Sequence, residues 1–368
     1  MSKLHSPAGD ESPACQRSPV LPQDLIFEIL LRLPVRSLLQ FMCVCKSWKT
    51  LISDSQFAKD HLRTSTADSN MTHQRLVSSV PYDRFKIEFF SVQSLFQNPS
   101  IPIKGLTCWM SHCFEILGSC NGLLCMHDPN EDNIILWNPS TRLRSKRMPN
   151  RVSLDDVTCH GFGYDHVNDK YKLFIVVDGE RIYVTKIFNF SSNSWTVIQN
   201  FPCRNAYSRL GKFVSGTLNW ITWGGVLNKD QWMVLFFDLG KESYGEVLLP
   251  DGGHDKDFIS TLNVIRDCLC FCLLDSKKAH WALWLMKEYG VHESWTKLMI
   301  IPDIGSGWYY FSLDPLCISE NGVVLLRTTP PKLVLYNSND GRFDYPRIWD
   351  KLGLDVHVYH ESLFSPQI

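Results

Sequence analysis

The 368-residue sequence contains no run of about 18 consecutive apolar residues, so nothing in it reads as a membrane span. Charge of one sign is also missing. The 37 Lys and Arg face 38 Asp and Glu, for a formal net charge of −1. That balance removes the electrostatic footprint of a nucleic-acid binder or a membrane-surface protein. No Cys-x-x-Cys occurs among the 13 cysteines, and an odd number cannot pair completely within one chain. Residues 1–18 are polar, carry Pro7 and Pro13, and lack the apolar core of a secretory signal. They read as an unstructured tail on a protein of the cytoplasm, the nucleus or both. In a reducing compartment the cysteines behave as small core hydrophobes. The glycosylation patterns Asn70-Met71-Thr72 and Asn189-Phe190-Ser191 would then go unused.

Catalytic patterns are absent as well. No phosphate-binding Gly-x-x-x-x-Gly-Lys occurs, and Gly161-Phe162-Gly163 lacks both the third glycine and a following helix. Cys268, Cys270 and Cys272 recur with period two, on one face of a strand. Sulfurs about 6.5–7 Å apart along a strand suit core filling better than tetrahedral zinc. Cys159 and His160 are adjacent and point to opposite faces, which disfavours a nucleophile pair. Carboxylates show no repeated placement that would make a glycosidase pair. The expectation is no catalytic residue, no metal and no cofactor.

What the sequence does have is concentrated at two periods. From Val20 to about Leu62 the period is helical. Pro22 and Asp24 suit the first turn of a helix. Leu25, Ile29 and Leu33 recur at i, i+4 and i+8, Ile26 and Leu30 fill the next stripe, and Pro34 ends the helix. A second short helix takes Leu38, Leu39 and Phe41, and a third takes Val44, Trp48, Leu51 and Ile52. Phe57 and Leu62 suggest a fourth turn. Helices apolar on two faces must be covered twice. The rest of the chain and a partner protein are both open as covers. The run Leu21-Pro22 through Leu38, followed by Val44-Cys45-Lys46-Ser47-Trp48-Lys49-Thr50-Leu51-Ile52, resembles an F-box. The resemblance implies docking on a Skp-type adaptor, and through it on a cullin, a RING protein and a ubiquitin-conjugating enzyme. Carried over by position, Leu21, Pro22, Leu25, Ile29, Leu33, Pro34, Leu38, Val44, Cys45 and Trp48 are either adaptor-facing or part of the motif core. Periodicity does not divide them between those roles.

Beyond a polar segment at 63–73, which reads as a linker, the period becomes that of strands. Short Val, Ile, Phe, Trp and Tyr runs alternate with turns, and the unit repeats. Leu143, Trp195, Tyr244, Trp295 and Phe343 lead the last strand of successive copies, at intervals of 52, 49, 51 and 48 residues. Four short strands in about fifty residues is the signature of a propeller blade. Five copies are clear. A sixth can be assembled from Leu76–Ile103 and the C-terminal run Val356 to Phe364, which would close the ring and leave no open sheet edge. The expected architecture is therefore mainly β: an F-box at 19–62 and a kelch-like propeller at 74–364, closed by strands from both ends. Gly118-Ser119-Cys120-Asn121-Gly122-Leu123, Leu136-Trp137-Asn138-Pro139-Ser140-Thr141, Gly161-Phe162-Gly163-Tyr164-Asp165 and Trp284-Leu285-Met286-Lys287-Glu288-Tyr289-Gly290 resemble the F-box-associated domain of plant F-box/kelch-repeat proteins, relatives of the S-locus F-box proteins. The kelch Gly-Gly doublet is missing from most blades; only Gly224-Gly225 lies near its place.

Turns between first and second strands are tight, while the loops on the opposite propeller face are longer and varied. Binding concentrates on such loops. Trp223, Trp232, Trp308, Tyr309 and Tyr310 lie at or beside them and are the candidate target contacts. Asp128, Glu131, Asp132, Asp178 and Glu180 make the first two loops acidic, and Lys277, Lys278 and Lys332 make later ones basic. Together the resemblances imply a non-catalytic substrate receptor of an SCF-type ubiquitin ligase, which presents an unknown target protein. The alternative is an F-box protein whose propeller binds a glycan or small molecule.

Overall fold

At Asn121-Gly122 both residues have positive φ, +51° and +75°. Two such residues form the turn whose twist matches that of a hairpin. The same pair of positive φ values turns the chain at Ser215-Gly216 and at Arg266-Asp267, again between the first two strands of a sheet. A computed structural model describes residues 21–80, 85–111, 113–150, 152, 156–179, 182–203, 206–226, 231–250, 260–275, 277–304, 312–348 and 356–366. Among them are six four-stranded antiparallel sheets. They form a six-bladed propeller behind an N-terminal set of helices.

Blade I takes its innermost strand from the end of the chain: Val356–His360, then Gln74–Val80, Lys86–Ser91 and Leu106–Trp109. Blade II runs outward from Glu115–Cys120 to Met148–Pro149. Blade III runs from Val157–Asp165 to Ser194–Asn200, and blade IV from Lys212–Val214 to Ser243–Leu248. Blade V runs from Ser260–Ile265 to Trp295–Pro302, and blade VI from Leu313–Ile318 to Phe343–Asp344. The expected closure by both chain ends is present, with Gln74 opposite His360 and Ser78 opposite Val356. In blade II the outermost strand is displaced from the expected Leu143. The Asn138 side chain accepts from the Ser140 and Thr141 amides and Asn138 N–H donates to Leu143 O, so the chain returns through an isolated bridge between Trp137 and Arg144 before the strand proper at Met148.

The core is six wedges, one between each pair of neighbouring blades. Between III and IV, Phe174 packs 4.9 Å from both the Trp220 and Phe237 rings. Between V and VI, Cys270 and Cys272 are fully buried with Trp281 and Leu283, in the core-filling role expected of them. The twelve described cysteines are free thiols, most of them buried. No described helix is long and apolar enough to cross a membrane.

The segment after the closing strand staples blades I and II. Arg75 donates to both Glu361 carboxylate oxygens, at 3.1 and 3.2 Å. Asn138 Nδ2 donates to Ser362 O and Phe364 O, and the Ser362 hydroxyl donates to Asn121 O at 2.8 Å. Between them, Leu363 packs against the core of the helical module, while Phe364 packs on the core between blades II and III.

Candidate functional site

Four helices make that module: α1 (Gln23–Leu31), α2 (Val35–Phe41), α3 (Lys46–Ile52) and α4 (Ser55–Thr66). Pro22 and Pro34 stand at the N-caps of α1 and α2, where extended ψ values of 144° and 145° suit them. Asp54 caps α4 by accepting from the Gln56 and Phe57 amides. With that cap α4 runs twelve residues, well past the single turn expected, into the segment read as linker.

One stripe of α1 faces inward. Leu30 and Leu31 are buried with Leu38, Ile52 and Phe57, and the Phe27 ring meets Phe57 edge-on at 5.5 Å. The other stripe faces solvent. Leu21, Leu25 and Ile29 are 54%, 51% and 50% exposed, and Val44, from the turn between α2 and α3, is 63% exposed. Pro22, Pro34 and Cys45 are exposed as well. Leu38 is fully buried, while Leu33 and Trp48 are half-buried, the latter with its ring 5.3 Å from Phe41. Folding therefore separates residues that periodicity left together: seven present an apolar surface, Leu38 is core, and Leu33 and Trp48 belong partly to both. Beside Val44, the Cys45 thiol is held below the ordinary thiol range by the Ser47 hydroxyl 3.1 Å away and by the Trp48 amide.

The module sits on the tight-turn side of the propeller. Lys59 pairs with Asp169 in the blade III turn at 3.3 Å. His61 of α4 donates from Nε2 to Leu33 O at 2.8 Å and packs edge-on against His73, where the chain enters blade I. Burial lowers the pKa of both imidazoles.

On the opposite, long-loop side, Trp223 and Trp232 face each other across the second and third strands of blade IV, with rings 5.4 Å apart and edge-on. Tyr207 meets Trp232 edge-on at 5.8 Å. Trp223 and Tyr207 are 38% and 43% exposed, whereas Trp232 is partly buried beneath them. Tyr207 was missed by inspection of the sequence. Its place is set by a long-range bond, Tyr207 N–H to Ile221 O at 2.8 Å. Trp308, Tyr309 and Tyr310 lie outside the described residues. The acidic character expected of the first loop is largely cancelled internally. Asp128 is fully buried and accepts from the Asn130 and Glu131 amides, Asp132 meets His127 and Asn150, and Glu131 pairs with Arg147. Among the described residues no group of His, Cys, Asp and Glu is placed to hold a metal.

Two family models match this arrangement: an F-box domain over residues 19–60 and an F-box associated beta propeller domain over residues 79–345. An Arabidopsis thaliana F-box/kelch-repeat protein, At3g23880, is 32% identical, covering 94% of this chain and 96% of its own length. The F-box protein CPR1 of the same plant is 27% identical over 90% of this chain and 85% of its own.

Proposed function

Because the chain belongs to the F-box proteins that carry an F-box-associated β-propeller, we propose that it is the substrate-recognition subunit of an SCF-type ubiquitin ligase, with the adaptor on the F-box and a target protein on the propeller's long-loop face. The observation that carries this reading is the apolar stripe Leu21, Leu25, Ile29 and Val44, left open beside a filled helical core. The chain's own propeller side covers the module once, through Leu363 and His73. A Skp-type adaptor supplies the second cover, and brings cullin, RING protein and ubiquitin-conjugating enzyme with it.

The target would meet Tyr207, Trp223 and neighbouring loops, since aromatic side chains on a rigid support make good interface anchors. The chain performs no bond chemistry. It raises the local concentration of a target lysine near a charged conjugating enzyme, in the cytoplasm or nucleus. Ubiquitination and degradation of the target follow from that placement.

Co-expression with a Skp-type adaptor is expected to give a one-to-one complex on gel filtration. Leu25→Ala with Ile29→Ala removes half-exposed methyl groups, so the chain's own stability should change little. Adaptor affinity should fall by about 100-fold, at roughly 1.4 kcal/mol for each buried side chain lost. A wild-type chain that elutes alone in the presence of adaptor would rule the assignment out.

A further inference from the structure

The outermost strand of blade VI, Phe343–Asp344, is 2 residues long, and a proline ends it. Asn337 N–H donates to Arg342 O at 3.0 Å, and Asn337 O accepts from Gly341 N–H at 2.9 Å. The main-chain groups of Asn337 therefore face outward. Alternation along the third strand, Lys332–Asn337, turns those of Leu335 and Leu333 the same way. Leu335 pairs with Asp344. Continued by two residues, that register sets Leu333 opposite Pro346, which has no N–H to give. The chain leaves instead toward blade I. Arg347 N–H donates to Pro99 O at 3.2 Å, and Arg347 O accepts from Ile103 N–H at 2.8 Å. Ile103 and Ile348 form a parallel bridge. The N–H and C=O of Leu333 are left without a hydrogen bond among the described residues.

A groove of about 510 Å³ lies along this open edge, with Leu333 in its lining. Pro102, Pro331 and Pro346 wall it, three side chains with almost no rotamer freedom to lose on binding. Tyr345, 58% exposed, adds an aromatic ring. The charged lining is of one sign. Lys332 and Arg347 supply it, and no carboxylate lines the groove among the described residues. Both side chains are exposed, and neither makes an ion pair or a hydrogen bond among those residues. Asp344, two residues before Pro346, is taken by Arg342 at 2.9 Å. The ligand that fits is apolar at its centre, anionic at its flanks, and able to give and take a main-chain hydrogen bond. An extended acidic peptide meets all three conditions. Two cations are too few to hold a nucleic acid at physiological salt.

We propose that this groove binds an extended acidic peptide of the target protein. An apolar side chain sits among the prolines and Tyr345, carboxylates pair with Lys332 and Arg347, and the peptide main chain bonds to Leu333. The inference rests on the receptor reading above, and it adds a kind of target segment and a second place of contact. Pro331 and Lys332 stand where the chain passes from the second to the third strand of blade VI, as it does between Trp223 and Trp232 in blade IV. Both connections emerge on the long-loop face, so one target can engage both.

The test uses a panel of capped, dye-labelled hexapeptides, with two glutamates at each end and apolar residues at both central positions. Each is titrated by fluorescence polarisation into the full chain, with and without a Skp-type adaptor. At least one member is expected to bind with a Kd below about 1 mM. Lysines in place of its glutamates should weaken that peptide about tenfold. Methylating its central amide nitrogens removes main-chain donors and should weaken it about fivefold. Lys332→Glu with Arg347→Glu should reverse the preference, so that the lysine-flanked peptide binds better, a gain that misfolding cannot imitate. No binding below about 1 mM, equal affinity for the lysine-flanked peptide, or an unreversed preference in the double variant overturns the proposal. Undiminished binding of the methylated peptide assigns the groove to a small carboxylate ligand and overturns it too. Co-elution with the adaptor reports on the receptor reading separately, so a failed panel on an adaptor-bound chain overturns the groove alone.

Discussion

At Gly122 a Cβ atom would lie 2.2 Å from Ser362 Oγ and 2.6 Å from His360 O, on a backbone with φ +75°. Gly341 has a similar φ of +70° and nothing within 4 Å. Gly341→Ala should therefore cost only the left-handed penalty, about 1 kcal/mol. Gly122→Ala adds displacement of the tail staple and should cost about 3 kcal/mol in denaturant unfolding. Equal losses in the two variants would show that the tail does not press on this turn. The Asn-Gly pair was readable as a turn from two letters. Its contact with Ser362 was not, because the partner lies 240 residues away and no local pattern encodes it. The same limit applies in the F-box. Leu25 and Leu38 are both leucines in helical register, and only the placement of α4 and Leu363 decides that one is open and the other filled. Trp48 shows why the division matters. Truncating it removes a ring packed on Phe41 as well as exposed surface, so loss of adaptor binding in Trp48→Ala would mix docking with folding.

Among the elements, the closing strand Val356–His360 has the largest consequences for its five residues. Without it the first-blade strand Gln74–Val80 becomes an open edge, and the staple formed by Glu361, Ser362 and Leu363 is lost with it. A chain ending before Val356 is expected to lose its sharp unfolding transition and to aggregate. A synthetic peptide of residues 356–366 added in trans should restore the transition. A truncated chain that melts as sharply as the full one would show that the ring closes by other means. The strand was legible because five copies left the segment Leu76–Ile103 without a complete blade and an apolar run, Val356 to Phe364, lay at the far end. Elements whose limits depend on side-chain capping were less legible. Asp54 extends α4, and Asn138 delays the last strand of blade II, through bonds that the alternation of apolar residues does not register.

For the molecule as a whole, the inward-facing histidines set the response to acid. His160 and His360 are each pushed down to about 4, His357 to about 3, and His61 and His73 are lowered too, with burial the largest cause throughout. The unfolded chain binds protons near pH 6.5 and the folded chain resists them. Stability is therefore complete above about pH 6.5 and falls as pH drops toward 4, by up to about 1.4 kcal/mol per pH unit for each histidine. Unfolding free energies measured at pH 7, 6 and 5 should decline with increasing slope. A flat profile would mean that these rings are hydrated. Two faces also separate at this scale: the F-box occupies the tight-turn side, and the exposed aromatics of blade IV lie on the other. Strand order tells the same story in time. A ribosome delivers the F-box first and Leu363, which packs against its core, only after every blade has been made. Growing or prematurely ended chains lack that final piece. The helical module thus gains its last packing contact only once the ring of blades is whole.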